Sequence, residues 1–200
     1  VAKSVINDFL KNRKEDRIGL IVFAGQALTI CPLTFDYHVV GEILETIKVG
    51  MIEDGTAIGS AIATTVNRLR NSTTSSKIAI LLTDGENNAG EITPQTAAEI
   101  AKLFGVRIYT IGMGKEGGAR IPYNDPIFGK QYREIRVHVD EETLKEIAQT
   151  TSGTYFRATD TAKLESIYEE INRMETTQIA TTHFQNYREI SIDFLLPIAM

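Results

Sequence analysis

Apolar positions along the chain switch repeatedly between two spacings. In "RIGLIVFAG" (Arg17 to Gly25) and "ALTICPL" (Ala27 to Leu33), continuous and alternating apolar residues predict two strands joined at Gly25 and Gln26, close enough for a hairpin. Helical spacing follows from about Asp36 to Ile47, with Asp36 placed to cap the helix. The stretch around "GSAIATTVNRLRN" predicts the next helix, with Ile58, Ile62, Val66 and Leu69 on one face. "KIAILLT" (Lys77 to Thr83) is apolar without a break and predicts a strand buried on both faces. After it come a helix opened by Pro94 and closed by Gly105, a strand "VRIYTIGMG", a helix over Asp140 to Thr151, a strand "GTYFRA" and a helix over Asp160 to Met174. Val1, Val5, Ile6, Phe9 and Leu10 already share one helical stripe, so the chain is expected to open within a helix. Strands alternating with helices predict an α/β architecture, a doubly wound and mainly parallel sheet with helices on both faces.

Composition narrows the function classes. With 200 residues, 42% hydrophobic and 24% charged, the chain is of a size and make-up to bury one core. A formal net charge of -5, with no run of lysines or arginines, argues against nucleic acid as a partner. Cys31 is the single cysteine, which excludes an intramolecular disulfide, and its apolar neighbours predict a buried thiol without a nucleophilic role. The closing stretch "ISIDFLLPIAM" is apolar but shorter than the ~20 residues that cross a bilayer; it reads either as a buried end or as the opening of a transmembrane segment.

In open parallel sheets ligands bind at the carboxyl edge of the strands, so the loops leaving that edge carry the candidate chemistry. Two stand out, "EDGTAIG" (Glu53 to Gly59) and the "TDGENN" that ends the central apolar run. Thr56 offers a hydroxyl and Asp84 a carboxylate, hard oxygen ligands suited to magnesium, manganese or calcium rather than zinc. Taken singly, each also fits a helix cap.

In their order, "RIGLIVFAGQALTICPLTFD", "DGTAIGSAIATTVNRL", "KIAILLTDGENNAG" and "FGVRIYTIGMG" resemble a von Willebrand factor type A domain. Within that family the phrase "CPLTFDYHVVGEILETIKVGMIEDGTAIG" is most similar to the Bat proteins of bacterial aerotolerance operons. The resemblance covers Val1 to about Glu175 and implies a metal-ion-dependent adhesion site, with Thr56 as the hydroxyl ligand and Asp84 reaching the ion directly or through water. The family's first motif, Asp-x-Ser-x-Ser on a central strand, is not among these residues. By the resemblance that strand belongs between those at Arg17 and Lys77, so the Mg2+ (or Mn2+/Ca2+) site is incomplete in this chain. The implied organisation is a domain over residues 1–175 followed, over 176–200, by a linker and the start of a transmembrane segment beginning near Phe194. The implied setting is the bacterial inner membrane, with the domain on the periplasmic side. The implied partners are a protein supplying a carboxylate to the metal and other Bat-type proteins.

Other patterns receive plainer readings. "GMGKEG" (Gly112 to Gly117) follows a strand as a dinucleotide fingerprint would, but the residues after it read as loop or hairpin rather than helix. His38, His138 and His183 have no metal-ligand spacing. Three classes of function remain: a metal-dependent interaction module without enzymatic activity, a magnesium-dependent receiver-like or phosphotransfer enzyme, and a metal-free structural domain. The enzyme needs a nucleophile or a lysine aimed at the ion, and the nearest lysine, Lys115, sits on a different loop.

Overall fold

Caps and breakers in the sequence set most of the element boundaries in the computed structural model. It describes residues 2–13, 15–72, 74, 76–114, 119–125, 129–135 and 139–189, the backbone alone being described at 119–125, 129–135 and 176–189. Helix α1 (Ala2–Lys11) leads to the hairpin of β1 (Ile18–Phe23) and β2 (Ala27–Thr34), followed by α2 (Tyr37–Thr46) and α3 (Ile58–Leu69). Then come β3 (Lys77–Thr83), α4 (Pro94–Leu103), β4 (Val106–Met113), a hairpin of β5 (Ala119–Asp125) and β6 (Gly129–Ile135), α5 (Glu141–Thr150), β7 (Tyr155–Ala158) and α6 (Thr161–Glu189). The side chains of Asp36, Thr93 and Asp140 each accept a hydrogen bond from the backbone amide three residues on, opening α2, α4 and α5. Pro94 occupies the first turn of α4, where its missing N–H costs nothing.

The parallel part of the sheet is β3-β4-β7. β3 and β4 pair in register from Lys77 opposite Val106 to Thr83 opposite Gly112, and β4 pairs with β7 from Thr110 opposite Tyr155 to Met113 opposite Ala158. Alternation along β4 divides the core between two faces. Val106 and Ile108 pack with Ile58, Ile62 and Val66 of α3, the alanines of α4 and Leu144 and Ile147 of α5. Tyr109 and Ile111 pack with Val5 of α1 and Leu164, Ile167 and Ile171 of α6. Helices therefore cover both faces, as the alternating pattern predicts. Cys31, 2% exposed, lies in a smaller cluster with Leu10 and Val40, and burial, aided by the Asp36 carboxylate, pushes its thiol pKa up.

β1 pairs with β2 antiparallel and, among the described residues, with no other strand. Between β1 and β3 lies a cavity of 1080 Å³. Its walls are β1 from Ile18 to Phe23 and β3 from Lys77 to Leu82, with Ile62 of α3 on one side and Phe9 of α1 and Tyr168 of α6 among the residues on the other. The family resemblance places the absent central strand here, and the described sheet lacks it here. One departure from the sequence reading has the same cause. The Lys77–Thr83 strand is expected to be buried on both faces, yet only Leu81 and Thr83 of β3 are buried, while five residues of β4 from 108 to 112 are. One edge of β3 opens on the cavity instead of on a neighbour.

Helix α6 also exceeds its expected length. The sequence pattern stops it at Met174, whereas it runs on to Glu189 through a polar stretch free of glycine and proline. Glu175, 5% exposed, anchors it to the sheet: its carboxylate accepts from Arg107 Nη1 at 2.7 Å and from the Tyr109 hydroxyl at 2.5 Å. Burial, with the Glu175 carboxylate beside it, pushes the Tyr109 pKa up to about 12, so this hydroxyl is a donor at neutral pH. Among the described residues no helix is long and apolar enough to cross a membrane. The expected membrane segment near Phe194 lies outside the described residues.

Two outcomes are expected. Unpaired edges of β1 and β3 leave amides and carbonyls that cost about 1–3 kcal/mol each when buried without a partner. The 200-residue chain on its own should therefore bind a hydrophobic dye and self-associate in size-exclusion chromatography; a monodisperse chain with a cooperative melt would contradict this. Glu175→Ala removes the buried acceptor of the Tyr109 hydroxyl and the carboxylate paired with Arg107. It should cost about 2 kcal/mol, roughly 4–8 °C in Tm, read by thermal unfolding of the protein.

Candidate metal-ion site at the carboxyl edge of the sheet

β3 ends on Thr83, Asp84 and Gly85 because Thr83 turns the chain over on itself. Its buried hydroxyl accepts from the Gly85 amide at 3.3 Å, a local hydrogen bond that competes with further strand pairing. Asp84 is thereby left exposed at the tip. Gly85 passes so close to the neighbouring loop that a Cβ on it would lie 3.0 Å from Thr56 Oγ1. The loops that carry the two residues singled out in the sequence, 28 positions apart, thus meet at Gly85.

Neither of them is a helix cap. The N-cap position of α3 is held by Ala57, which has no side chain to offer, and no helix follows Asp84 until α4, which Thr93 caps. The capping duty at α3 falls to the other loop: Asn87 Oδ1 accepts from the Ile58 amide at 2.9 Å. Asn88 brackets Thr56, its Oδ1 accepting from the Thr56 amide at 2.8 Å and its own amide donating to the Thr56 carbonyl at 3.1 Å. The Ala57 amide donates to the Ala24 carbonyl at 2.7 Å and the Gly25 amide to the Glu53 carbonyl at 2.8 Å, which ties in the end of β1. Gly55 takes φ +139°, a conformation that favours glycine, where its missing side chain lets the loop pass against Gly25.

With their backbone bonds satisfied, Thr56 Oγ1 and the Asp84 carboxylate make no hydrogen bond to any described residue. Two hard oxygen donors, one neutral and one anionic, suit a magnesium-class cation. They are a partial set: among the described residues no group of three or more His, Cys, Asp or Glu is gathered to hold a metal alone. The amides of Thr56, Ala57 and Ile58 at the start of α3 already have acceptors, which disfavours a phosphate cradle there.

The remaining sequence candidates lie elsewhere. His38 stands on the exposed face of α2, 3.7 Å from the Glu42 carboxylate, and His183 is in the last turns of α6. His138 and the Lys-Glu-Gly of the glycine-rich stretch fall outside the described residues. After Gly114 the described chain resumes as the antiparallel β5-β6 hairpin, not as the helix that a dinucleotide fold requires. Asn87 and Asn88 are the functional residues that reading the sequence missed. The signal for them was the amide pair next to the acidic tip, in a loop whose partner, the start of α3, has no capping side chain.

Comparison with known proteins agrees with this architecture. The family model of the von Willebrand factor type A domain matches residues 1–170. Among solved structures, BatB of Bacteroides thetaiotaomicron superposes with a TM-score of 0.71 at 30% identity, covering 88% of this chain and 87% of that one. An aerotolerance-related membrane protein of Bacteroides fragilis gives 0.70 at 30% identity, covering 86% and 85%. A mussel byssus protein, proximal thread matrix protein 1 with a zinc-occupied MIDAS motif, shares the fold at 19% identity and a TM-score of 0.66, covering 87% of this chain and 39% of that one. Curated relatives include a Borreliella burgdorferi protein, 24% identical over 98% of this chain and 57% of its own length, and a UPF0353 protein of Nocardia farcinica, 28% identical over 80% and 52%. The chain thus spans about half the length of the curated relatives it matches. A doubly wound sheet with helices on both faces, the ordered loops at its carboxyl edge and the family match over residues 1–170 together make this chain a member of the von Willebrand factor type A domain family, similar to the Bat aerotolerance-related proteins.

Proposed function

We propose that the chain is a metal-ion-dependent protein-protein interaction module of a membrane-anchored bacterial protein, acting in aerotolerance or cell-envelope stress from the periplasmic side of the inner membrane. One observation supports the reading: the loop bearing Asp84 meets the loop bearing Thr56 at Gly85, where a Cβ would lie 3.0 Å from Thr56 Oγ1, and neither Thr56 nor Asp84 is used for capping or for any hydrogen bond to a described residue. Structural threonines and aspartates at loop ends are normally so used.

In this reading Thr56 Oγ1 and Asp84 hold a magnesium, manganese or calcium ion. The other protein ligands come from a strand seated in the cavity between β1 and β3, whose tip would emerge beside both residues. An acidic side chain of a partner, a Bat-type protein among the candidates, supplies the closing ligand. Thr56 and Asp84 would hold the ion, which would supply the positive charge that an acidic partner needs at this negatively charged edge. A phosphotransfer enzyme is disfavoured by the occupied amides at the start of α3 and by the absence of a lysine among the described loop residues next to Asp84, from Gly85 to Ile92.

Thr56→Ala and Asp84→Ala, made in the protein at its full natural length, should abolish or strongly weaken magnesium-dependent partner capture and leave Tm nearly unchanged. The Asp84 change should be the more severe, since water replaces a hydroxyl better than a carboxylate. Capture that persists in both variants, or a Tm loss of the size that a broken cap gives, would overturn the proposal.

A further inference from the structure

The loop that bears Asp84 also builds the backbone around Thr56. Three successive amides, those of Thr56, Ala57 and Ile58, are accepted by groups from other loops: Asn88 Oδ1, the Ala24 carbonyl and Asn87 Oδ1. Two of the three acceptors are side chains four residues or fewer from Asp84. Asn88 holds Thr56 from both sides, through its amide oxygen and through its own N–H. Asn87 replaces the cap that Ala57 cannot supply, so the first turn of α3 starts where the Asp84 loop places it. The donors here are backbone N–H groups, so in both asparagines it is the carbonyl oxygen that faces them.

We infer that Asn87 and Asn88 are positioning residues that fix the Thr56 hydroxyl against Asp84 before any ion arrives. The inference rests on the reading of Thr56 and Asp84 as metal ligands and adds how their separation is held. Asn88 is itself exposed, and its two hydrogen bonds to Thr56 contribute little to the stability of the core beneath them. What it does set is loop geometry. A Cβ at position 85 would lie 3.0 Å from Thr56 Oγ1, so this hydroxyl sits within a single atom's clearance of the loop that bears Asp84, and a shift of either loop moves it directly. Preorganisation of this kind lowers the ordering cost of binding an ion with few protein ligands.

The test uses the protein at its full natural length, with Mn2+ as the probe, read by electron paramagnetic resonance, alongside amide exchange of the peptide spanning 53–60. Asn88→Ala should weaken Mn2+ binding by about tenfold or more and speed exchange of the Thr56 amide, with Tm close to that of the wild type. Asn87→Ala should speed exchange at Ile58 and weaken binding less. Asn87→Asp, which keeps an acceptor for the Ile58 amide, should restore both readouts. Asn88→Ala with unchanged Mn2+ affinity, beside a Thr56→Ala that loses it, would overturn the positioning role while leaving the metal reading intact. Wild-type protein that binds no Mn2+, or whose binding is indifferent to Thr56, would overturn both.

Discussion

Among the described residues β1-β2 and β3-β4-β7 do not touch through strand pairing, and the loop from Glu53 to Ile58 joins them at the carboxyl edge. On one side it takes the Ala24 carbonyl and the Gly25 amide at the end of β1; on the other it takes Asn87 and Asn88 from the loop that follows β3. Backbone groups make the link to β1, whereas the link to the loop after β3 runs through the Asn87 and Asn88 side chains as well as the Asn88 amide. The proposed function depends on this bridge, because it sets the loop bearing Thr56 against the loop bearing Asp84 and Gly85.

Charge around this bridge gives the proposed chemistry its direction. Glu53, Asp54, Asp84, Glu86 and Glu91 are all exposed on the two loops, and the chain as a whole carries a formal charge of -5. A surface of this sign gathers cations and repels an acidic partner. Under the proposed function, a partner carboxylate would approach only with a divalent ion between, which would make metal dependence and partner choice a single event. The far end of the sheet is built on the opposite principle, with the Glu175 charge buried and fully engaged by Arg107 and Tyr109. There, charge fixes α6 rather than reaching outward.

Much of this was legible in the sequence. The hairpin over β1 and β2, the cap at Asp36, the helix-opening Pro94 and the strand at β4 all follow from local rules whose physics is complete within a few residues. The nomination of Thr56 and Asp84 came from hard oxygen donors and glycines occurring together after apolar runs. Less legible was whatever depends on the neighbour across space. The half-open state of β3 reflects the cavity beside it and not its own composition. The continuation of α6 past Met174 is carried by helix-permitting residues without an apolar stripe, so periodicity did not mark it. Asn87 serves a helix that starts 29 positions earlier, a distance over which no spacing rule operates.

Paramagnetic broadening by Mn2+ in amide spectra of the protein at its full natural length tests the central claim most directly, since it locates the ion without relying on a partner or a variant. At low Mn2+ the account predicts that the amide signals of Thr56, Asp84 and Gly85 disappear first, followed by those of Gly25 and Asn88, while signals from Glu91 and the Glu175 end of the sheet persist. Broadening that begins at Glu53 and Asp54, or spreads evenly over the acidic surface, would contradict a site built by Thr56 and Asp84.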